Sequence, residues 1–215
     1  AVFTVDEEIG LLGASALDTA PLKGKYLINL DSEEEGILWA GCAGGMTSIS
    51  ELPVNYQERT GIRYDIKVDG LLGGHSGAEI DKIRANATLL MARFLHEFRE
   101  FGEFGLISLS GGQKDNAIPR QAEASVLTGQ EDGERLVSYA AEFTQMLRKE
   151  YTGTDEGITV TAVCQGEKTE QVLHPVSQEK VIFFLMNYPN GIQKMCGFIE
   201  GLVETSCNVG VTKIG

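Results

Sequence analysis

The order of hydrophobic patterns between residues 64 and 164 restricts this chain more than any other feature. Tyr64, Ile66 and Val68 alternate with Asp65, Lys67 and Asp69, the period of two that marks a strand with one buried face. Ile83, Ala87, Leu90, Met91, Phe94, Leu95 and Phe98 then recur at helical spacing, with Arg84, Arg93, Glu97 and Glu100 off that stripe. Residues 104–109 and 121–128 read as two strands that pair across a polar turn. Asp132 reads as the cap of a second helix, whose apolar face is Leu136, Tyr139, Ala140, Phe143, Met146 and Leu147. Residues 158–164 alternate as a further strand. The resulting order, β-α-β-β-α-β, predicts a ferredoxin-like α+β sandwich with its helices on one face of an antiparallel sheet.

The first part of the chain has a different texture. Thr4-Val5-Asp6-Glu7-Glu8-Ile9-Gly10 and Tyr26-Leu27-Ile28-Asn29-Leu30-Asp31 are short apolar runs that end in carboxylates. Each reads as a buried strand of an α/β domain delivering acids to a site at its C-terminal edge, or, as spacing alone favours, a solvated acidic loop. Residues 6–16 suit a tight turn into a short helix, and residues 36–40 begin another apolar strand. The cluster Gly41-Cys42-Ala43-Gly44-Gly45 is the best linker. The expected division is therefore 1–43, part of an α/β domain, and 44–215, an α+β domain. Within the latter, 44–165 form a first unit. At 166–215 a second begins, with Ser177 capping a helix, a turn at Pro189-Asn190-Gly191 and a strand broken near Asn208.

Charge and cysteine usage narrow the partners. A formal net charge of −13 over 215 residues leaves Lys and Arg too sparse for a phosphate-binding stripe, so nucleic acid is not an expected partner. The most apolar short run, 181–186, is far below membrane-spanning length. The four cysteines show no C-x-x-C pair and suit free thiols in a reducing, cytoplasmic compartment. A chain opening on Ala1-Val2-Phe3 reads as an internal piece of a longer one.

Several residues could carry chemistry. Glu7 and Glu8 are adjacent, so a strand would send them to opposite faces and divide their work between base and ligand. Asp31 could bind a metal beside Glu8, although acids alone make a poor zinc site. His75, in Gly73-Gly74-His75-Ser76-Gly77, reads as an imidazole exposed on a flexible loop and free to reach a ligand, or as an ordinary loop histidine; His96 reads as solvated on the polar side of a helix, and His174 as a loop residue with no visible partner. Gly111 to Arg120 is explained as a hairpin loop, or as a site where the Asn116 amide and the Arg120 guanidinium hold a substrate carboxylate.

Taken together, Val5 to Gly10, Leu30 to Gly36, Gly73 to Gly77, Gly112 to Arg120 and Leu202 to Asn208 occur in an order that resembles the M20 zinc metallopeptidases, in particular their aminoacyl-histidine dipeptidase branch. The resemblance implies the edge of a catalytic α/β domain followed by a lid domain. It implies Glu7 as general base, Glu8 and Asp31 as ligands of two zinc ions, His75 as the lid histidine that polarises the scissile carbonyl, and Asn116 and Arg120 as substrate contacts. It further implies a small peptide substrate and a homodimer formed through the lid. The remaining zinc ligands of the family find no match in this chain, so the 215-residue polypeptide alone is expected to be inactive. Two readings from other classes compete: a ferredoxin-like ligand-binding module without catalysis, and an oligomerisation module.

Overall fold

The computed structural model describes residues 1–7, 10–30, 35–38 and 41–215. The chain divides into two compact units, Ala1–Met46 and Thr47–Gly215, the boundary falling just past the glycine cluster.

In the first unit the described residues of the acidic run, Asp6 and Glu7, are in no strand, and Glu7 lies in a turn. The Glu7 carbonyl accepts the N–H groups of Gly10 and Leu11, and the Val5 carbonyl accepts that of Gly13. Asp6 and Leu11 adopt positive φ, and a short helix, α1 (Leu12–Ser15), follows. Gly13 allows this close return, since a Cβ there would lie 2.5 Å from the Val5 carbonyl oxygen. The run from Tyr26 to Leu30 is not in strand either, and Leu27, Ile28 and Leu30 are at least 80% exposed. A strand needs a neighbour for its backbone groups and an apolar layer for its side chains; the described residues of this unit provide neither. Glu8 and Asp31 lie outside the described residues.

The second unit contains the expected sandwich. Its strands are β1 (Tyr56–Asp69), β2 (Gly74–His75), β3 (Phe104–Gly111), β4 (Ala117–Ile118), β5 (Ala122–Thr128), β6 (Thr159–Leu173), β7 (Gly191–Met195), β8 (Val203–Cys207) and β9 (Thr212–Ile214), with helices α2 (Ala87–Phe98), α3 (Gln130–Glu150) and α4 (Pro175–Asn187). The main sheet runs β6-β1-β5-β3-β9, and each adjacent pair is antiparallel. Tyr64, Ile66 and Val68 face the core as their alternation requires. The residues between them carry polar pairs, among them Arg63 with Asp65 at 2.9 Å. The helices cover the apolar side, where Phe94, Leu95, Phe98, Leu106, Leu136, Phe143 and Leu147 are fully buried.

Four boundaries differ from the sequence reading. The first helix begins at Ala87, not Ile83: Asn86 accepts the N–H groups of Thr88 and Leu89 as N-cap, while Ile83 takes a left-handed conformation and is 73% exposed. Asp132 lies within the first turn of α3, after Gly129 at the cap position, and its carboxylate accepts from Glu103 N–H at 3.3 Å. Ser177 likewise lies inside α4. Pro175, whose fixed φ suits the first helical position, starts that helix, and Ser177 Oγ accepts the Asn55 N–H at 2.9 Å. Finally, β6 does not stop at Cys164. A bulge opposite Arg63/Tyr64 lets it continue against β1 to Leu173. Residues 166–215 thus supply the end of β6, α4 beside α2, the β7-β8 hairpin and β9, which pairs with β3 at the edge of the same sheet.

Candidate functional site

The second unit gathers three of the predicted residues at one rim. After β1 the chain passes through Gly70, Gly73 and Gly74, all at positive φ, and residues 74–75 pair with 117–118: Gly74 lies opposite Ile118 and His75 opposite Ala117. Glycine is needed at residue 73, because a Cβ there would lie 2.2 Å from Arg120 Cγ. Next to the ladder, the Ser76 N–H donates to the Asn116 carbonyl at 2.9 Å. The loop expected as a plain hairpin tip is thereby joined to the glycine loop, which brings His75 and Asn116 together. Both residues are exposed.

The orientation of His75 is set by its own neighbours. Its Nδ1 accepts the N–H groups of Gly77 at 3.0 Å and Ala78 at 3.1 Å. With Nδ1 serving as acceptor, the neutral ring carries its proton on Nε2, which becomes a donor directed away from the loop. Glu79 reinforces this. Its Oε2 accepts the His75 N–H at 2.9 Å, its Oε1 pairs with Arg84 at 2.9 Å, and Arg84 donates in turn to the Gly73 carbonyl. The His75 N–H holds the Glu79 carboxyl below its ordinary value; burial opposes the shift and the Arg84 charge adds to it. Arg120 lies beside the loop with Nε 3.4 Å from the Leu71 carbonyl. On the other side, the Thr47 hydroxyl donates to Asp115 at 2.8 Å and lowers the Asp115 carboxyl below its usual range.

Sequence reasoning missed three supporting residues: Glu79, Arg84 and Asp155. Asp155 is fully buried, and its two oxygens accept the N–H groups of Leu72 at 2.7 Å and Ala85 at 2.8 Å. It ties the chain before and after the His75 segment, at Leu72 and at Ala85, to the turn after α3. The only sequence signal for Glu79 is a carboxylate four residues after His75; Asp155 is eighty residues away and gives none. Glu7 is exposed in the first unit. Among the described residues, no three His, Cys, Asp or Glu side chains come together as a bound metal would require. The four cysteines are free thiols.

Comparison with known proteins bears on the same stretch. The M20 peptidase dimerisation domain matches residues 66–155. The chain is 34% identical over 212 residues to the cytosol non-specific dipeptidase of Escherichia coli (strain K12), covering 98% of this chain and 44% of that protein. The crystal structure of aminoacylhistidine dipeptidase from Vibrio alginolyticus superposes with a TM-score of 0.74 at 34% identity, over 97% of this chain and 43% of the other. The chain thus spans less than half the length of the relatives it matches.

Proposed function

We propose that this chain, which carries the dimerisation domain of the M20 peptidases, is the lid-bearing part of a dinuclear zinc dipeptidase that hydrolyses Xaa-His-type dipeptides. The observation that carries the reading is the His75 imidazole. Its Nδ1 accepts two backbone N–H groups, which leaves Nε2 as the donor of the neutral ring, and the next residue, Ser76, is bonded to the Asn116 carbonyl, in a chain similar along 98% of its length to a dipeptidase. A neutral, oriented N–H donor is the group needed to bind a carbonyl oxygen as negative charge develops on it, and it requires no reorganisation at that moment. The Asn116 amide and the Arg120 guanidinium are the proposed contacts for the ends of a short peptide.

In this reading Glu7 is the general base, and Glu8 and Asp31 are metal ligands. Among the described residues no donor set for a metal is complete, and we propose that further ligands come from a longer protein, of which this chain would be a part as it is similar to 44% of the E. coli dipeptidase. Bound zinc would supply an acidified water. The 215-residue chain alone is proposed to be inactive. The name of the E. coli relative and the free thiols favour a cytoplasmic setting. The test is hydrolysis of Xaa-His and non-His dipeptides by the full-length protein, before and after chelation. His75→Ala should lower kcat by about 100-fold or more, the order lost with an oxyanion donor. Equal turnover by the variant would sink the proposal.

A homodimer through this unit is the accompanying reading. It is favoured by the dimerisation-domain match and by the position of β6, a fifteen-residue strand at the edge of the main sheet with most of residues 163–171 exposed. Sedimentation of the full-length protein tests it, a monomer at micromolar concentration counting against it.

A further inference from the structure

We propose that Asn208 is a positioning residue for Asn116 and, through it, for His75; the inference rests on the function proposed above. The segment from Leu202 to Asn208 is the one resembling motif for which no role follows from residue type. Asn208 lies in the connection between β8 and β9. Its Nδ2 donates to the Asp115 carbonyl at 3.2 Å and to the Ala117 carbonyl at 2.8 Å, the carbonyls of the two residues that flank Asn116. The amide orientation is determined by these contacts, because the reverse would set its oxygen against two carbonyl oxygens. Its Oδ1 is buried and has no hydrogen-bond partner among the described residues. A buried unpaired acceptor is costly, and here it accompanies a side chain that acts purely as a double donor.

The backbone that carries Asn208 is itself anchored. The Val209 N–H donates to Asn190 Oδ1 at 3.0 Å, and the Val209 carbonyl accepts from Asn86 Nδ2 at 3.0 Å. Asn86 is also the N-cap of α2, so the bracket stands on the most buried helix of the sandwich. Gly210 lies flat against the loop: a Cβ there would come within 2.5 Å of the Asp115 carbonyl oxygen, and one on Gly112 within 1.7 Å of the Gly210 carbonyl oxygen. Pinning both carbonyls that flank Asn116 sets its backbone and hence the direction of its side chain. The Asn116 carbonyl receives the Ser76 N–H, and Ala117 pairs with His75. One side chain therefore holds the strand against which His75 is registered.

Asn208→Asp preserves size while removing both donors, and amide hydrogen exchange on the 215-residue chain reads the outcome without any assay of activity. Exchange at Ser76 should accelerate about tenfold or more, that being the loss expected when two neutral hydrogen bonds go, while exchange at Ile66 in the centre of the sheet stays unchanged. In the full-length protein, Asn208→Asp should lower kcat about tenfold. In an Asn116→Ala background the same change should cost less than about twofold, since residues acting as a unit are not additive. Should the aspartate variant fail to fold, Asn208→Ser is carried through both measurements. Unaltered exchange at Ser76, or an equal loss in the two backgrounds, overturns the proposal. Undiminished turnover by Asn116→Ala overturns the underlying reading of Asn116 whatever the exchange data show, so the two failures are told apart.

Discussion

His75 and Glu79 are bonded to each other twice. The His75 N–H donates to Glu79 Oε2 at 2.9 Å, and the Glu79 N–H donates to the His75 carbonyl at 2.9 Å. The carboxylate closes a one-turn ring around residues 76–78, in which the N–H groups of Gly77 and Ala78 donate to the imidazole and that of Ser76 to the Asn116 carbonyl. Replacing Glu79 by Ala removes one bond of the ring and the partner of Arg84. Under the role proposed for His75, it should reduce kcat of the full-length protein about tenfold with a smaller change in KM, because it would misplace the histidine and leave the proposed contacts at Asn116 and Arg120 in place. A rise in KM at constant kcat would mean that Glu79 does not act through His75.

The same carboxylate makes the loop sensitive to acid. Its folded-state value is lowered by the His75 N–H and by Arg84. The interaction is therefore complete above the ordinary carboxyl range and is lost as pH falls through the lowered folded value. The His75 amide proton shift, followed by NMR, should titrate with a midpoint below that of a free glutamate, about 4.3. A midpoint at or above that figure would contradict the geometry.

A second acid-sensitive contact lies between the helices. Burial pushes the Glu97 carboxyl up, but the Tyr139 hydroxyl and the Arg93 guanidinium more than reverse the effect and leave it lowered. Its stabilising contribution is present above the unfolded value and disappears as pH falls through the folded one. Glu97→Gln should flatten the stability profile in that acid window and leave the region above pH ~6 nearly parallel to the parent. Denaturant midpoints across the range decide this, and an unchanged acid slope counts against it.

Asp155 offers a test of loop anchoring. Asp155→Ala leaves the Leu72 and Ala85 N–H groups without their acceptor, the latter in a residue only 1% exposed. The expected cost is about 2–4 kcal/mol in urea unfolding, with fast exchange confined to residues 71–86. A loss below ~1 kcal/mol would show that water replaces the carboxylate.

Phe98 tests the helix layer. It is fully buried, stacks on Phe94 and Tyr139, meets Phe101 edge to face and lies tilted against Phe104. Phe98→Ala should destabilise by about 3–5 kcal/mol. Gly102→Ala should also destabilise, by overpacking, since its Cβ would sit 2.4 Å from Phe98 Cζ. Neutral values for both would mean that this end of the core is loosely packed.

The alternation at Tyr64, Ile66 and Val68 and the helical stripes on α2 and α3 were legible because side-chain periodicity reports directly which face is buried. The order of those elements was enough to place the sheet and its helices, and the ordered motifs were enough to bring out the resemblance to M20 dipeptidases. Local pattern failed where a distant partner set the outcome. An apolar run such as 26–30 carries strand-forming residues but acquires strand structure only with a neighbour. β6 passes Cys164 because β1 continues beside it and a bulge absorbs the extra residue. The candidate site shows the same division. The sequence surroundings of His75 and Asn116, a glycine loop and a polar turn, made them candidates beside plain loop residues, and only the resemblance gave them roles. Their adjacency could not be read there, because it depends on one short ladder and the Ser76 bond across forty residues. Glu79, Arg84, Asp155 and Asn208 emerge only in three dimensions: each acts through a hydrogen bond to a backbone group, and a backbone group leaves no mark in a sequence.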